Sequence, residues 1–459
     1  MKFFDRFDEK DRLTRGLQSP AGSFFCLYGR RRCGKSRLLQ ETLPKKNAVY
    51  HVADQMEAAL QRRRLASDMA SVIEGFDRVE YPDWATLLDR WRKDAPSGAC
   101  LVLDEFPYLA VSAPELPSIL QRVVDAAAGS PLHTVICGSS QRMMQGFVLS
   151  PSAPLYGRSK EILKISPLEF GWIAKAFPHA SPQEALDHFS IWGGVPRYWE
   201  LATEYKTLDD AVQRLILAPQ GVLHNEPRHM LIDDMGDIAQ ASSILALIGQ
   251  GCHRLSEIAA RLGKPATSIT RPMARLQELD LVIREIPFGA DERGGKTSLY
   301  SLADPFLAYW FRFVQPNRSM LENASVAVVY RRIRTAFRQH TAWVWENLAR
   351  RSVPRLTIAG QEWGVARRWW GSAKSARPME IDVMAESGDG KTLLVGEVKL
   401  AAAVAEINGL KSELQEKAAG LPFANRYRKV ETAVFSASAG PYSKVANVIT
   451  LPDVQRVLI

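Results

Sequence analysis

Through the first 165 residues, short apolar runs recur between longer amphipathic stretches. Phe24–Tyr28, Ala48–Val52, Cys100–Asp104, Thr134–Gly138 and Ile162–Ile165 are each a few residues of largely apolar character. Strands covered on both faces read this way, because neither side of the pleat meets water. The stretches between them carry helical periodicity, so residues 1–167 are predicted as an α/β domain, a parallel sheet with helices on both faces. Residues 168–235 read as a helical module broken at Gly193-Gly194-Val195-Pro196. The pattern of 236–310 predicts a winged helix-turn-helix. It has an apolar helix around Ile244–Ile248, a short helix Leu255–Gly263 with a glycine stop, and a helix from Pro265 to Leu279. Wing strands Leu281–Ile286 and Thr297–Leu302 flank a Gly289–Gly295 loop. Residues 325–459 mix helix and strand and are predicted as a separate α/β domain.

Composition narrows this picture. The 459 residues are 46% hydrophobic and 24% charged, as in ordinary globular proteins. No apolar run approaches the ~18 residues a membrane span needs. The charged start Met1-Lys2-Phe3-Phe4-Asp5-Arg6 has no signal-peptide core. Five scattered cysteines form no Cys-x-x-Cys pair, which is expected of reduced thiols in a cytoplasmic protein. The net charge is +9, and residues 326–377 alone hold eleven Lys and Arg against Glu346 and Glu362, with five of the eleven tryptophans. A focused basic, aromatic segment is expected of a polyanion contact. A solvated arginine surface over a tryptophan-containing core reads equally well.

Gly29-Arg30-Arg31-Arg32-Cys33-Gly34-Lys35-Ser36 matches G-x-x-x-x-G-K-[ST], follows an apolar strand and opens a helical stretch. Glycines let the backbone N–H groups turn toward a phosphate, and the following helix presents its positive end. Gly29, Arg32, Gly34, Lys35, Ser36 and Arg37 are the candidate nucleotide-contacting residues of this element. Lys35 would face the β and γ phosphates and Ser36 would ligate Mg²⁺. The strand Ala99–Leu103 ends in Asp104-Glu105. Asp104 is expected at the magnesium and Glu105 as the base that polarises the attacking water. Ser139 and Ser140 end the next apolar strand, and either one of them orients that water or contacts the γ-phosphate, or they simply cap the strand end. Arg158 in Tyr156-Gly157-Arg158 is a candidate phosphate sensor or a surface arginine in a turn.

These residues, with Leu101-Val102-Leu103-Asp104-Glu105-Phe106 and Gly193-Gly194-Val195-Pro196-Arg197-Tyr198, resemble the prokaryotic ATPase family abundant in archaea, a branch of the STAND-type AAA+ proteins. The resemblance covers roughly residues 1–310. It implies ATP rather than GTP, slow switching rather than motor action, and a base contact from Gly194 and Pro196 in a helical lid. Three consecutive arginines inside the loop also fit it. Winged helices in such ATPases either read DNA or pack as protein-contact modules. Thr267, Ser268, Thr270 and Arg271 would be the polar reading face.

Near the C-terminus, Met379–Ala385 and Thr392–Leu400 flank Ser387-Gly388-Asp389-Gly390, a predicted β-hairpin. A loop at 387–390 would pair Glu386 with Lys391, Asp382 with Val395 and Glu380 with Glu397. Alternation then places Glu380, Asp382, Glu397 and Lys399 on one face and Ile381, Val383, Leu394, Val398 and Leu400 on the other. Crowded carboxylates call for a cation, and oxygen-only ligands suit Mg²⁺ or Mn²⁺. Asp382, Glu397 and Lys399, with Glu346 on a preceding helix, resemble the PD-(D/E)xK nuclease core of restriction enzymes and junction resolvases. Ile381 stands where that motif has proline. The resemblance implies a restriction-endonuclease-like fold, with Asp382, Glu397 and Lys399 catalytic and Glu346, Asp382 and Glu397 at the metal.

The sequence is thus expected to encode an ATP-binding, ATP-hydrolysing protein that binds DNA and cuts it with magnesium. It is expected to be cytoplasmic, with no membrane partner, and oligomerisation is left open. The competing class is an ATP-dependent switch that holds nucleic acid or a protein without cutting. A small-molecule kinase is disfavoured, because about 220 residues would then have no purpose.

Overall fold

Strand formation follows the apolar runs closely. A computed structural model describes residues 3–127, 130–232, 234–291, 297–323, 325–374, 377–438 and 446–459. It places β1 at Ser23–Tyr28, β2 at Ala48–Val52, β3 at Cys100–Asp104, β4 at His133–Gly138 and β5 at Glu161–Lys164. These form one parallel sheet in the order β2-β3-β4-β1-β5. The pleat divides each strand between two cores. Phe24, Cys26, Leu101 and Leu103 enter one cluster, and Phe25, Leu27, Cys100 and Val102 the other. A sheet buried on both faces leaves its strand ends as the accessible chemistry, and both the glycine loop and Asp104-Glu105 lie at C-terminal strand ends.

The chain divides into two compact units. One holds residues up to 167 with 232 and 234; the other holds 168–231 and 235–459. In the second unit, the helices Ile238–Gly249, Leu255–Arg261 and Ala266–Glu278 precede an antiparallel pair, β6 (Val282–Glu285) and β7 (Leu299–Leu302). The first helix begins earlier than expected because Asp237 caps it, accepting from the Gln240 N–H. In the third, Ile269, Met273 and Leu276 are buried, while Thr267, Ser268, Thr270 and Arg271 are exposed. Most of the expected wing tip, residues 292–296, lies outside the described residues. The segment after β6 is joined to the C-terminal sheet. Phe288 donates its N–H to the Arg368 carbonyl at 3.0 Å and packs with Trp369 and Phe423, and Glu285 pairs with Arg368 at 2.7 Å. Gly194 shows why that position is glycine: a Cβ would lie 2.0 Å from the Leu168 carbonyl oxygen.

The C-terminal part follows the long helix Val326–Ser352. An antiparallel meander, β8 (Arg367–Ser372), β9 (Pro378–Glu386) and β10 (Thr392–Lys399), leads through the helix Val404–Ala419 to β11 (Lys429–Ser436), parallel to β10. β12 (Val448–Thr450) completes the order β12-β11-β10-β9-β8. The hairpin is present, but its register differs from the expected one. Glu386 pairs with Leu393 and Val383 with Gly396. The cause is Ser387. Its N–H donates to the Thr392 carbonyl, its hydroxyl accepts from the Thr392 N–H, and it also donates to Asp389, which draws Lys391 into the loop. The slip is two residues, so over 383–386 each side chain keeps its face, but a bulge, three residues of β9 against two of β8, turns Ile381 from the expected apolar face onto that of Met384, Leu393 and Val395. That face is less polar than expected, because Met384, Leu393 and Val395 bury against Leu414 and Ala418. Among the described residues no helix is long and apolar enough to cross a membrane. All five cysteines are free and buried.

Candidate functional site

Two glycines shape the phosphate loop for different reasons. Gly29 has φ +144°, and a Cβ there would lie 2.3 Å from the carbonyl oxygen of Ile165, the residue just after β5, so the backbone there forbids any side chain. Gly34 has φ +94° with open space around it, so backbone conformation alone selects glycine. Arg32 adopts the left-handed region at φ +67°, a strained geometry for a non-glycine residue that is common where a loop is built for a ligand. Gly34 caps the helix Lys35–Thr42, whose first N–H groups are the ones a phosphate accepts from. The Lys35 ammonium is buried and donates to the Gly29 and Arg30 carbonyls at 2.8 and 3.1 Å.

The acids at the end of β3 converge on this loop. Ser36 Oγ donates to Asp104 Oδ2 at 2.8 Å, and the Tyr50 hydroxyl donates to the same oxygen. Burial, then the Asp104 charge, pushes the Tyr50 phenol far above its ordinary value, so it remains a donor. Glu105 sits at φ +52°, and its carboxylate accepts from the Ser139 N–H at 3.2 Å and from Ser139 Oγ at 2.9–3.0 Å. Arg31 reaches Ser139 Oγ at 3.4 Å and the Tyr108 hydroxyl at 2.7 Å. Ser139 thus holds Glu105, whereas Ser140 caps the following short helix and donates to Asp234 at 3.0 Å. A groove of about 740 Å³ opens beside Glu105 and Ser139, walled by Met56, Leu60, Tyr108 and Val111. The donor set fits a magnesium triphosphate: a loop of turned glycines, a buried lysine and a Ser–Asp pair at strand ends. Bound Mg²⁺ would supply charge neutralisation at the phosphate oxygens.

Two expected contacts are corrected. Arg158 precedes β5, where Lys160 bonds to Phe24, so it sits at the N-terminal ends of the strands, opposite the loop. Its guanidinium forms a two-pronged pair with Asp125 at 2.8 and 3.0 Å. Arg37 is exposed and pairs with Glu41 one turn on. Pro196 lies in the second unit, in the first turn of the helix Pro196–Ala202. Sequence reasoning missed Tyr50 and Asp234. Neither carries a local motif, and each acts through a strand or chain segment that only the fold brings near.

The C-terminal cluster is built from four elements. The long helix is pinned to β10 by Trp345 Nε1, which donates to the Lys399 carbonyl at 3.1 Å, and this delivers Glu346. Burial, then the Asp382 charge, raises the Glu346 carboxyl to about 7. Burial and Glu397 also raise Asp382, whose Oδ2 accepts from the Val398 N–H at 2.9 Å. Arg350, largely buried, donates to the Asp382 carbonyl at 3.1 Å. Glu397 is half-buried, but Lys399 at 2.7 Å and Lys417 at 3.2 Å hold it below the ordinary carboxyl range. Lys399 is raised chiefly by Glu397, with Asp382 and Glu346 adding their charges. The charges of Asp382, Glu397, Lys399 and Glu346 therefore act on one another. Glu380 does not join them; exposed, it pairs with Arg368 at 3.3 Å. Among the described residues no three His, Cys, Asp or Glu side chains are grouped to hold a metal ion. The oxygen donors suit magnesium by type, but as arranged they do not form its cage.

The basic segment divides. Trp345, Trp363 and Trp369 are core residues, and Arg368 stacks on Trp370 at 4.8 Å. Arg334 pairs with Asp209, and Arg351 and Arg355 pair with Glu169. Arg331, Arg332 and Arg338 are exposed along the first half of the long helix.

Comparison with known proteins agrees with this geometry. Residues 3–200 match the profile of an ATPase domain predominantly from Archaea, and residues 310–411 that of archaeal and bacterial proteins of unknown function. An uncharacterized protein of Methanocaldococcus jannaschii is 29% identical over 403 residues, which is 86% of this chain and 87% of that one. The Walker-type ATPase of Pyrococcus abyssi superposes with a TM-score of 0.53 at 18% identity, covering 68% of this chain and 96% of its own. The ORC2 protein of Aeropyrum pernix, solved with ADPNP and ADP, gives 0.45 at 16% identity, covering 71% and 96%. Residues 3–200 are therefore similar to an archaeal-type ATPase domain, with a parallel α/β sheet like that of P-loop ATPases, and a separate C-terminal sheet domain follows.

Proposed function

We propose that this protein binds and hydrolyses ATP and uses the nucleotide cycle to control how its C-terminal domain engages DNA. The Ser36–Asp104 pair at 2.8 Å, with Glu105 held by Ser139, carries the reading. In it, the loop N–H groups and Lys35 bind the phosphates, and Asp104 and Ser36 hold Mg²⁺. The Glu105 carboxylate takes a proton from the attacking water, in an orientation set by Ser139. A γ-phosphate contacted more strongly in one conformation than another shifts the protein toward that conformation. Pro196, in the helical lid, is read as the base contact. Residues 238–302 are read as a winged helix whose exposed Thr267, Ser268, Thr270 and Arg271, with Arg331, Arg332 and Arg338, face DNA. Nucleotide binding and DNA mobility-shift assays on the parent and Lys35→Ala test this. The variant is expected to lose ATP binding and any effect of ATP on DNA affinity. DNA affinity indifferent to ATP in the parent would contradict it.

A second reading, phosphodiester cleavage, is favoured by the convergence of Asp382, Glu397, Lys399 and Glu346 on a helix–meander–helix–parallel-strand core that resembles PD-(D/E)xK nucleases. Incubation with plasmid, single-stranded and branched DNA in Mg²⁺ or Mn²⁺ tests it. Cleavage lost in Asp382→Ala supports it, and cleavage equal in parent and variant excludes it.

A further inference from the structure

A guanidinium lies buried at the start of the first helix. Its residue, Arg6, and the preceding Asp5 both sit in the left-handed region, at φ 66° and 64°. Two consecutive non-glycine residues there store strain, which persists only where the surroundings fix them and which recurs at ligand sites. Arg6 opens the helix Phe7–Leu17, whose Leu13 packs in the same core as Leu38 and Leu39 of the helix after the phosphate loop. Gly16 of that helix meets the Phe25 ring of β1 so closely that a Cβ would lie 2.4 Å from it. The helix is thus seated on the sheet, and it delivers the Arg6 side chain inward. One terminal nitrogen pairs with Glu9 at 3.1 Å. The other donates to two backbone carbonyls, that of Cys33 in the phosphate loop at 3.3 Å and that of Ser166, just past β5.

The Cys33 contact bears on what the loop can bind. In a trans peptide the C=O and the following N–H lie in one plane and point to opposite sides. Turning the Cys33 carbonyl toward Arg6 therefore turns the Gly34 N–H away from it, at the entry to the helix Lys35–Thr42. Gly34, at φ +94° with open space around it, offers no side chain to fix that peptide. The first half of the loop is already set by the same segment after β5, where Gly29 abuts the Ile165 carbonyl. Arg6 clamps the second half to Ser166. A guanidinium taken out of water for cohesion alone gains little over an apolar side chain, so its value lies in the peptide it orients.

We propose that Arg6 is a positioning residue of the phosphate site, holding the Cys33–Gly34 peptide so that the Gly34 N–H faces the β-phosphate of a bound nucleotide. This rests on reading the loop as an ATP site. Arg6 acts through loop backbone, so its loss is expected to weaken ATP and ADP alike, both of which place a β-phosphate in the loop.

The test is ATP and ADP affinity of the full-length chain, with the ³¹P resonances of bound ADP recorded at saturation. It is run on the parent, Arg6→Met, Arg6→Lys, Lys35→Ala and Arg12→Met, the last removing an exposed arginine of the same helix. Arg6→Met is expected to lose about tenfold or more for both nucleotides, as loss of a hydrogen bond from a charged group implies, and to shift the β-phosphorus resonance. Arg6→Lys keeps the charge without the planar fork and is expected to fall between. Arg12→Met is expected to match the parent. Parental affinity for both nucleotides in Arg6→Met overturns the proposal. So does lost affinity with the β-phosphorus resonance unmoved, which would place Arg6 at the base or sugar, or in the fold alone. Both of these outcomes leave the ATP reading intact. Thermal unfolding checks each variant, and Arg6→Lys carries the same readouts if Arg6→Met does not fold. A parent that binds neither nucleotide, or binds them without dependence on Lys35, removes the ATP reading and this proposal together.

Discussion

Glu346 shows how burial sets the behaviour of a single residue. Its carboxyl ordinarily ionises near 4.5, and burial beside Asp382 raises this to about 7 in the fold. Between those values the folded chain binds a proton that the unfolded chain has lost. Stability from this group therefore falls as pH rises from about 4.5 to 7 and stays reduced above. Glu346→Gln removes the titration. It is expected to match the parent at pH 4.5 and to exceed it at pH 8 by about 2 kcal/mol, after discounting for partial exposure. Denaturant unfolding at the two pH values measures this, and a pH-independent difference would show that Glu346 ionises normally. Lys417 and Asp234 belong to the same scale. Lys417 donates to Glu397, and Asp234 accepts from Ser140 Oγ and the Arg142 N–H, each across a sequence gap that no spacing rule bridges.

At the scale of elements, the two loop glycines are expected to behave differently on replacement. Gly34→Ala meets no neighbour and costs the left-handed conformation alone, about 1–2 kcal/mol. Gly29→Ala adds a collision with the backbone of Ile165 and is expected to cost at least about twice as much, since backbone cannot step aside as a side chain can. Equal losses in denaturant midpoint would contradict the packing of β5 against the loop. The elements were largely legible beforehand. The five parallel strands appear as apolar runs because both faces are buried. The face of residues 383–386 was legible despite the two-residue slip, because a period of two survives an even displacement, whereas the bulge that turns Ile381 onto the face of Met384 was not. The loop chemistry of Ser387 and Asp389 was not, since it depends on side-chain hydrogen bonds to the backbone that the turn residues alone do not specify. Arg158 was misplaced because a Gly-Arg turn gives no sign of which end of the sheet it occupies.

At the scale of the whole molecule, the phosphate site was readable as a contiguous motif plus one strand end. The C-terminal cluster required four elements to meet, and sequence alternation supplied only two of them. The basic segment shows the limit of charge counting. Four of its eleven basic residues, Arg334, Arg351, Arg355 and Arg368, pair with Asp209, Glu169, Glu285 and Glu380, while Arg331, Arg332 and Arg338 are exposed along the long helix. Replacing these three with alanine is expected to weaken DNA binding about equally across sequences and to lower the slope of log affinity against log salt by about 2–3. An unchanged slope would place DNA elsewhere on the molecule.

In the proposed function, Glu105 is the base of an ATP-hydrolysing site built on Lys35, Ser36 and Asp104. Single-turnover hydrolysis of radiolabelled ATP by the parent and Glu105→Gln, with nucleotide affinity measured in parallel, tests it most directly. ATP affinity is expected to be unchanged and hydrolysis slowed by at least roughly a hundredfold, the lower bound for loss of a general base. Hydrolysis by the variant at the parental rate would contradict it.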